Sequence, residues 1–364
     1  MSTVSNKGII FKAVPEGLPN SNVHFEVVHH KIDIKNLKLG ENDFILRNLY
    51  LSLDPYVRLT MKESHIDPVM PSQAIGHVLS GIGVSEVVKS NNPNLKVGDL
   101  VYGLIGWEEY THIKTDAKKI NDIHFKNINY HKKLLKEVPL SYQISLLQLS
   151  GLTPYGSLMA LGKPKAGETI YISCAAGATG HLVGQIAKIK GLKVVGSTGS
   201  DEKVDFLLNE LKFDAAFNYK KVDLDKTLSE LCPNGIDIYF ENVGGKTLEV
   251  VLNHCNRFAR IPVCGMISQY NITNQKEKYG VKNLDSIIHK SICVHGFLAM
   301  DFIGSQVEKD FETDMLEWVK SGKIICKENV IEGIENAGKA FTDMLVGNSV
   351  GKSIVKIADY YNYL

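Results

Sequence analysis

The hydrophobic positions of the chain follow two different patterns, which change at about residue 140. Residues 1 to about 137 contain short apolar stretches, such as DFILRNLYLSL and AIGHVLSGIGVSEVV, separated by Gly, Pro, Asn and Asp. Short apolar runs bounded by turn residues are typical of β-strands. We therefore predict that the first part of the chain is mostly β-structure.

Strand-like and helix-like segments alternate in the second part of the chain. SYQISLLQLSGLTPYGSLMALG has apolar residues at helical spacing, and the strand-like ETIYISCA is followed by the helix-like GHLVGQIAKIKG. Further strand-like segments follow, with helical patterns between most of them: KVVGST, AAFNY, IDIYFEN, ARIPVCG and SICVHGFLA. Strands that alternate with helices build right-handed crossovers, which predicts a parallel, doubly wound sheet. After about residue 310, an amphipathic helix precedes a last strand, helix, strand pattern.

A small-residue turn joins one of these strands to the next helix, within YISCAAGATGHLVGQIAKIKG. Gly177 and Gly180 fit the dinucleotide-binding pattern Gly-x-Gly-x-x-Gly, but Ala175 stands at its first position. Small residues let a pyrophosphate approach the backbone N–H groups and the positive dipole of a helix N-terminus. A tight packing corner is the alternative. The predicted pyrophosphate-binding residues are Gly177, Ala178, Thr179 and Gly180.

The end of the following strand indicates which dinucleotide this turn would bind. Proteins that bind NAD place an acidic residue there for the ribose hydroxyls, whereas residues 197–200 contain none. Lys203 follows in the next helix, and Tyr219 and Lys220 follow a later strand. Cations without a carboxylate favour a 2′-phosphate, so we predict NADP as the cofactor. A solvated helix lysine is the alternative interpretation of Lys203.

A Gly-His pair in IGHVLSG raises the alternative of a zinc enzyme. Zinc alcohol dehydrogenases carry Gly-His-Glu near this place, and a catalytic zinc needs three protein ligands. Here Val78 replaces the glutamate, and no cysteine precedes Cys174. We therefore predict that His77 is not a metal ligand and that the protein binds no metal. The six cysteines form no C-x-x-C pair, which favours reduced thiols over disulfides.

Composition and charge narrow the class of protein. The chain has 364 residues, of which 44% are hydrophobic and 22% are charged, as expected for a soluble α/β protein of two domains. A formal net charge of +1 gives no reason to expect nucleic acid or an anionic membrane as a partner. The N-terminus lacks a secretory signal pattern, and no apolar run reaches the roughly 18 residues of a transmembrane helix. We therefore expect a cytoplasmic protein that acts on a small molecule.

Ten ordered motifs resemble one protein family over nearly the whole chain. They are LYLSLDPYVR, GDLVYGLIGWEEY, LSGLTPYGSL, AAGATGHLVGQIAKIKG, GSDEKVDFL, FNYKK, ENVGG, RIPVCGMISQYN, GKIICKENVIEGIENAGKAFTDML and GNSVGKSIVKI. The sequence resembles the zinc-independent medium-chain dehydrogenases/reductases, and within them the NADP-dependent alkenal/one oxidoreductases. This group includes plant double-bond reductases, prostaglandin reductases and leukotriene dehydrogenase. The resemblance implies a Rossmann NADP-binding domain over 138–314. It also implies a GroES-like β-barrel catalytic domain formed from both chain ends, 1–137 and 315–364.

The resemblance also implies which residues contact the cofactor. Gly177 to Gly180 would hold the pyrophosphate, and Lys203 and Tyr219 would bind the 2′-phosphate end. Further contacts would come from Asn242, Cys264, Gly265, Ser268, Tyr270, Phe297, Leu298, Ala299 and Asn348. For each of these residues a structural role is the alternative, such as a turn residue for Asn242 or a core residue for Phe297.

The implied reaction is the NADPH-dependent reduction of the C=C double bond of α,β-unsaturated ketones and aldehydes, without a metal. Negative charge develops on the carbonyl oxygen during such a reduction, so the site needs hydrogen-bond donors. Tyr56 of DPYVR and Tyr270 of ISQYN are the candidate catalytic residues, and Tyr270 is also a candidate for relaying a proton. A partly buried tyrosine with its hydrogen bonds satisfied is the alternative for both.

Two other functions stay open at this point. One is an NADPH quinone oxidoreductase of the same superfamily, and the other is an NADP-binding sensor or structural protein without catalysis. The strand SICVHGFLA at a sheet edge predicts a homodimer. Members of the family commonly have Ser where His181 stands, and the loop 62–73 also departs from their pattern. The physiological substrate is therefore not predicted.

Overall fold

The computed structural model describes residues 3–63, 70–115, 125–129 and 137–360. The strands are β1 (Thr3–Phe11), β2 (Phe25–Asp33), β3 (Phe44–Ser52), β4 (Ser80–Ser90), β5 (Leu100–Gly106), β6 (Tyr110–Ile113), β7 (Lys126–Asn127), β8 (Thr169–Ile172), β9 (Lys193–Thr198), β10 (Ala215–Asn218), β11 (Ile236–Phe240), β12 (Cys255–Val263), β13 (Cys293–Gly296), β14 (Glu328–Glu332) and β15 (Lys352–Lys356). The helices are α1 (Ser21–His24), α2 (Tyr56–Thr60), α3 (Tyr142–Ser145), α4 (Leu149–Ser157), α5 (Gly180–Ile189), α6 (Asp201–Asp205), α7 (Leu224–Leu231), α8 (Gly245–His254), α9 (Ile267–Tyr270), α10 (Ser286–His289), α11 (Gln306–Lys320) and α12 (Ala337–Leu345). Part of the distinctive loop 62–73 lies outside the described residues.

The chain divides into two compact units. The first unit consists of Met1–Ile144, Asn329–Asn348 and Ser353–Leu364. The second unit consists of Ser145–Glu328 and Ser349–Lys352. The first unit therefore combines residues from both ends of the chain, and the second unit comes mainly from the middle.

The first unit is built on antiparallel β-structure. Its larger sheet has the strand order β14-β15-β3-β4-β5-β7, with β6 paired to β3, and β1 pairs with β2 in a smaller sheet. The core includes Ile9, Leu46, Leu51 and the ring of Phe341, which meets Trp107 edge-to-face with centroids 5.7 Å apart. Strand β15 pairs with β3, so the C-terminal strands complete the sheet that the N-terminal strands begin. This is the arrangement expected for a catalytic domain formed from both chain ends.

The second unit contains a parallel sheet with the strand order β10-β9-β8-β11-β12-β13. Every neighbouring pair in this sheet is parallel. All four residues of β8 are buried, as expected for a central strand that is covered on both faces. The chain leaves β8 toward β9 on one side and later returns to β11 on the other side. This order confirms the predicted doubly wound sheet and places its topological switch between β8 and β11.

Helix α11 belongs to the second unit, where its buried residues are Phe311, Met315 and Trp318. The hydroxyl of Tyr155 on α4 donates a hydrogen bond to the carboxylate of Asp314 at 2.7 Å. The predicted domain bound between residues 314 and 315 falls inside this helix. The sequence-based bounds 1–137, 138–314 and 315–364 stay a prediction beside the compact units described above.

Small residues in the second unit allow α5 to pack closely on the sheet. A Cβ at Gly184 would lie 1.9 Å from Cζ of Phe213, so a larger residue there would force the ring to move. A Cβ at Gly196 on β9 would lie 2.7 Å from Cβ of Ala175. The alanine at the first position of the glycine motif is therefore accommodated by a glycine on the neighbouring strand.

His181 in the first turn of α5 is completely buried. Its Nδ1 lies 2.8 Å from the carbonyl oxygen of Gly177, and its Nε2 lies 3.4 Å from the backbone nitrogen of Lys327. The N–H of Lys327 can donate only to an unprotonated Nε2, so the neutral ring carries its proton on Nδ1 and donates it to Gly177. Burial lowers the pKa of His181 to about 4. The ring therefore ties the glycine turn to the segment before β14.

We predict that acid destabilises the protein through His181. The unfolded chain takes up a proton near the ordinary pKa of about 6.5, whereas the folded His181 does so only near a pKa of about 4. The unfolded state therefore binds more protons in this range. Protonation should lower the free energy of unfolding by about 3 kcal/mol as the pH falls from 7 to 4. Urea unfolding at several pH values in this range measures the effect.

Two variants isolate this contribution from that of other titrating groups. His181→Gln keeps a donor and an acceptor but cannot be protonated, so its stability should depend less steeply on pH. His289→Gln changes an exposed histidine of α10 and should keep the wild-type dependence. If His181→Gln and the wild type lose stability equally steeply, the role assigned to His181 is wrong.

Candidate functional site

The predicted site residues of the second unit follow the carboxyl ends of its six parallel strands. The glycine turn follows β8, Lys203 follows β9, Tyr219 follows β10, and Asn242 follows β11. Cys264 follows β12, and Phe297 follows β13. Because the strands are parallel, these ends meet at the same edge of the sheet, where doubly wound folds bind their ligands. The structure therefore gathers these residues at one edge.

The glycine turn is fixed by backbone hydrogen bonds before α5 begins. The N–H of Gly177 donates to the carbonyl of Cys174 at 3.0 Å, and the N–H of Ala175 donates to the carbonyl of Ser197 at 2.8 Å. A Cβ at Gly180 would lie 2.5 Å from the carbonyl oxygen of Cys174. Packing alone therefore requires glycine at 180. The turn also places Ala178, Thr179 and Gly180 at the start of α5, where backbone N–H groups have no partner within the helix.

Tyr219 and Lys220 lie beside Gly199, which directly follows β9. A Cβ at Gly199 would lie 3.4 Å from Cε1 of Tyr219 and 3.5 Å from Nζ of Lys220. Lys203 is nearly buried, and its pKa is lowered by burial and by the charge of Lys220. Two lysines that repel each other in this way fit a doubly charged phosphate group.

Asp201, an acidic residue that follows β9, is held by partners outside the lysine pair. Oδ1 of Asp201 accepts a hydrogen bond from Nδ2 of Asn218 at 2.8 Å, and Oδ2 pairs with the ammonium group of Lys221. Asp201 also stands in the first turn of α6, where a negative charge is favourable. Its carboxylate is therefore engaged by Asn218 and Lys221 at the start of α6.

Asn242 connects the ends of β11 and β8. Its side-chain amide donates to the carbonyl oxygen of Ser173 at 2.7 Å, and its backbone N–H donates to Oγ of Ser173 at 3.0 Å. This is the turn role that the sequence left open as an alternative. The contact between Asn242 and the cofactor therefore stays a prediction.

Cys264 and Gly265 are held by the same strand end. Both backbone N–H groups donate to the carbonyl oxygen of Glu241, at 2.9 and 3.2 Å. Burial raises the pKa of the Cys264 thiol to about 12, while a hydrogen bond with Thr179 opposes this shift. The contact with Thr179 brings the segment after β12 next to the start of α5.

Tyr270 ends the short helix α9 and is partly buried. Its hydroxyl oxygen accepts a hydrogen bond from the N–H of Met266 at 3.1 Å. A Cβ at Gly265 would lie 2.8 Å from this oxygen, so the glycine makes room for the phenol. Burial raises the pKa of Tyr270. The phenol therefore stays protonated at neutral pH, and its own proton can be donated to a ligand.

The remaining predicted contacts of the second unit are more exposed. Oγ of Ser268 donates to the carbonyl of Val243 at 2.6 Å. The rings of Phe297 and Phe302 meet with centroids 5.7 Å apart, and Leu298 is 42% exposed. Ala299 opens the short 3₁₀ turn Ala299–Phe302.

Three candidate residues lie in the first unit. Tyr56 begins α2 and packs against the core of this unit, and its pKa is raised by burial and by the charge of Asp54. His77 is exposed, and its Nδ1 lies 3.1 Å from the carbonyl oxygen of Ile75. Asn348 is exposed in the loop after α12, and its N–H donates to the carbonyl of Asp343 at 2.9 Å.

Among the described residues, no group of three or more His, Cys, Asp or Glu side chains could hold a metal ion. In the same part of the chain, no helix has the length and apolar character needed to cross a membrane.

The sequence did not assign two residues that the structure places at the site. Lys220 supported the choice of NADP but was not assigned a contact, because its position beside Gly199 required the pairing of β10 with β9. Glu241 stands within the ENVGG motif and is completely buried. An acidic residue that ends the apolar run IDIYF was the available signal, because a carboxylate is rarely buried without a specific role.

Comparison with known proteins identifies the family. Residues 7–123 match a family model described as the N-terminal domain of oxidoreductase, and residues 178–321 match one described as zinc-binding dehydrogenase. The chain is 41% identical to the NADP(+)-dependent 2-alkenal reductase of Nicotiana tabacum, over 98% of both chains. It is 42% identical to the (+)-pulegone reductase of Mentha piperita, over 86% of this chain and 87% of the relative.

A solved structure confirms the predicted fold. The crystal structure of CurA from Vibrio vulnificus in complex with NADPH is 33% identical in sequence, with a TM-score of 0.84. The match covers 97% of this chain and all of CurA. The chain thus belongs to the medium-chain dehydrogenase/reductase family, in its zinc-independent group of NADP-dependent alkenal and enone reductases.

Proposed function

We propose that this protein uses NADPH to reduce the C=C double bond of α,β-unsaturated ketones and aldehydes. The observation that carries the proposal is one sheet edge that combines a glycine turn, a pair of lysines and the donor Tyr270. The likeness to a 2-alkenal reductase over 98% of both chains supports this reaction. The motifs DPYVR and ISQYN, which contain Tyr56 and Tyr270, weigh against the alternative enzyme, a quinone oxidoreductase.

The residues at this edge fit the polar groups of NADPH, which supplies a hydride when it is bound. The turn from Gly177 to Gly180 would hold the pyrophosphate at the N-terminus of α5. Lys203 and Tyr219, together with Lys220, would bind the 2′-phosphate. The other proposed contacts are Asn242, Cys264, Gly265, Ser268, Tyr270, Phe297, Leu298, Ala299 and Asn348.

Tyr56 and Tyr270 are the proposed catalytic residues. Negative charge develops on the carbonyl oxygen of the substrate during the reaction, and a positioned hydroxyl donor stabilises it. Burial raises the pKa of both phenols, so each is protonated and can donate. The N–H of Met266 occupies an acceptor site of the Tyr270 oxygen and orients the phenol. Tyr270 can also pass a proton to the α-carbon.

We also propose that the protein is cytoplasmic and binds neither nucleic acid nor membranes. All six cysteines are free thiols, as expected for a protein in a reducing compartment. Cell fractionation tests this location, and recovery of the protein with membranes or nucleic acid would contradict it.

The proposed reaction predicts NADPH oxidation by the purified protein in the presence of an alkenal such as 2-hexenal or a cyclic enone. Absorbance at the NADPH band measures the rate, and mass spectrometry of the product should show the saturated carbonyl compound. Conversion of quinones alone, or of carbonyl groups to alcohols, would contradict the proposal. Tight NADPH binding without turnover of any of these compounds would favour the sensor alternative.

A variant of Tyr270 tests whether this activity depends on the proposed site. Tyr270→Phe removes one hydroxyl donor and should lower kcat by about 100-fold. Its dissociation constant for NADPH should change less than kcat, because the ring of residue 270 and the other proposed NADPH contacts remain. A variant with full activity would remove Tyr270 from the catalytic residues.

The phosphate site predicts a change in cofactor preference when Lys203 is replaced. Lys203→Ala should lower kcat/KM for NADPH by about 10- to 100-fold, because a charge-assisted contact with the 2′-phosphate is lost. The value for NADH should stay nearly constant. Lys226→Ala, which removes an exposed lysine of α7 from the same unit, should leave the preference unchanged. A wild-type preference in Lys203→Ala would contradict the assignment.

We propose that the protein forms a homodimer through β13. This strand lies at the edge of the parallel sheet, and all four of its residues are exposed. The unpaired backbone groups of an edge strand can form hydrogen bonds with the same strand of a second chain. When a two-fold axis relates the two chains, this pairing gives a dimer that does not extend further. Exposed apolar side chains accompany this edge, including Val294, Leu298 and Met300.

The dimer predicts twice the mass of one chain in sedimentation equilibrium. Val294→Lys adds a charge to the proposed interface and should shift the protein toward the monomer without loss of secondary structure. A wild-type protein that sediments as a monomer at micromolar concentration would contradict the dimer. A dimer that Val294→Lys does not weaken would exclude β13 as the interface.

A further inference from the structure

Glu241, directly after β11, is a buried carboxylate that the proposed reaction does not use. It is 0% exposed, although burial of a carboxylate is unfavourable without hydrogen bonds. Its Oε1 accepts hydrogen bonds from the hydroxyl of Tyr239 at 2.8 Å and from the N–H groups of Val243 and Gly244 at 2.6 and 2.9 Å. Oε2 is buried and has no hydrogen-bond partner among the described residues. One oxygen thus carries all these contacts.

The backbone turn that receives this carboxylate could not form with ordinary residues. Gly244 and Gly245 have φ values of 72° and 57°, which favour glycine. A Cβ at Gly244 would lie 2.8 Å from Cβ of Met266, and a Cβ at Gly245 would lie 2.7 Å from Nε2 of Gln269. The turn therefore packs directly against the segment that carries α9.

Hydrogen bonds connect the same turn to Tyr270. The N–H of Ile267 donates to the carbonyl of Asn242 at 3.1 Å, and the N–H of Ser268 donates to the carbonyl of Val243 at 3.1 Å. These donors are in the first turn of α9, whose last residue is Tyr270. The backbone carbonyl of Glu241 holds Cys264 and Gly265 in addition. Both segments beside the phenol thus depend on the conformation at Glu241.

We propose that Glu241 is a positioning residue, whose carboxylate fixes the turn 242–244 and, through it, the placement of α9 and the Tyr270 hydroxyl. The inference rests on the proposed function for the role of Tyr270. Glu241 acts at the end of the site that holds Asn242 and Tyr270, whereas the lysine cluster belongs to β9 and β10. Loss of the carboxylate should therefore affect one end of the site and spare the other.

The test compares two ligands that occupy different parts of the site. NADPH spans the whole site, whereas 2′,5′-ADP carries only the adenosine end with its 2′-phosphate. Glu241→Ala should weaken NADPH binding and lower kcat with 2-hexenal, each by about tenfold or more, because misplacement by about 1 Å is costly. Its dissociation constant for 2′,5′-ADP, measured by calorimetry, should equal that of the wild type. Retained 2′,5′-ADP binding also shows that the variant is folded.

Two conservative variants keep the proposal testable even if Glu241→Ala does not fold. Glu241→Gln retains an oxygen acceptor for the turn and should keep kcat and NADPH affinity within about threefold. Glu241→Asp retains the charge but withdraws it from the turn, so both quantities should fall about tenfold. A Glu241→Asp variant with wild-type values, or a Glu241→Gln variant that falls as far as Glu241→Asp, would overturn the proposal.

Asp237 provides the matched control at the other end of β11. Its carboxylate also accepts two hydrogen bonds, from the N–H of Thr169 at 2.9 Å and from Nδ2 of Asn256 at 2.8 Å. Asp237→Ala should leave kcat and NADPH affinity unchanged. Equal losses in Asp237→Ala and Glu241→Ala would mean that both carboxylates only stabilise the strand.

The binding measurements separate this proposal from the proposed function. If the wild type reduces no enone, the proposed function fails, but the contrast between NADPH and 2′,5′-ADP still tests Glu241. If the wild type is active and the variants bind both ligands as it does, the positioning role fails while the proposed function stands.

Discussion

The parallel pairing of β8 with β9 and β11 is the constraint on which the site depends. Parallel strands bring their carboxyl ends to one edge, so residues as far apart in the chain as Ile172 and Phe240 become neighbours. The switch in strand order between β8 and β11 leaves the end of β8 uncovered by a crossover. The glycine turn stands at that end, which places backbone N–H groups where an anion can reach them.

The two sides of β8 carry different chemical groups at this edge. On one side of β8, the ends of β9 and β10 carry Lys203 and Lys220, and the nearby Asp201 is paired with Asn218 and Lys221. On the other side, the ends of β11 and β12 carry neutral donors and the buried carboxylate of Glu241. Lysines at one end of the edge and uncharged donors at the other suit a ligand whose phosphates lie at one end and in the middle, and whose other end is uncharged. NADPH has this distribution of charge.

The pattern of the sequence was sufficient for the sheet, the glycine turn and the cationic strand end, because each depends on local residue types. It was insufficient where the role of a residue depends on a distant neighbour. Ala175 fits only because Gly196 stands opposite, and the amide of Asn242 binds the backbone of Ser173. Likewise, the amphipathic pattern identified α11 but not the unit against which its apolar face packs. No spacing within one segment carries such information.

The buried polar groups of the second unit show how the site can be both exposed and well defined. A turn rich in glycine has many accessible conformations, and its own contacts cannot select one. The neutral ring of His181 donates a hydrogen bond to the carbonyl oxygen of Gly177. The carboxylate of Glu241 accepts a hydrogen bond from the N–H of Gly244. Burial of each group carries a desolvation cost, and its hydrogen bonds select one conformation of the turn. Replacing either by an apolar residue would spare that cost, but it would leave the turn without the acceptor or donor that selects its shape.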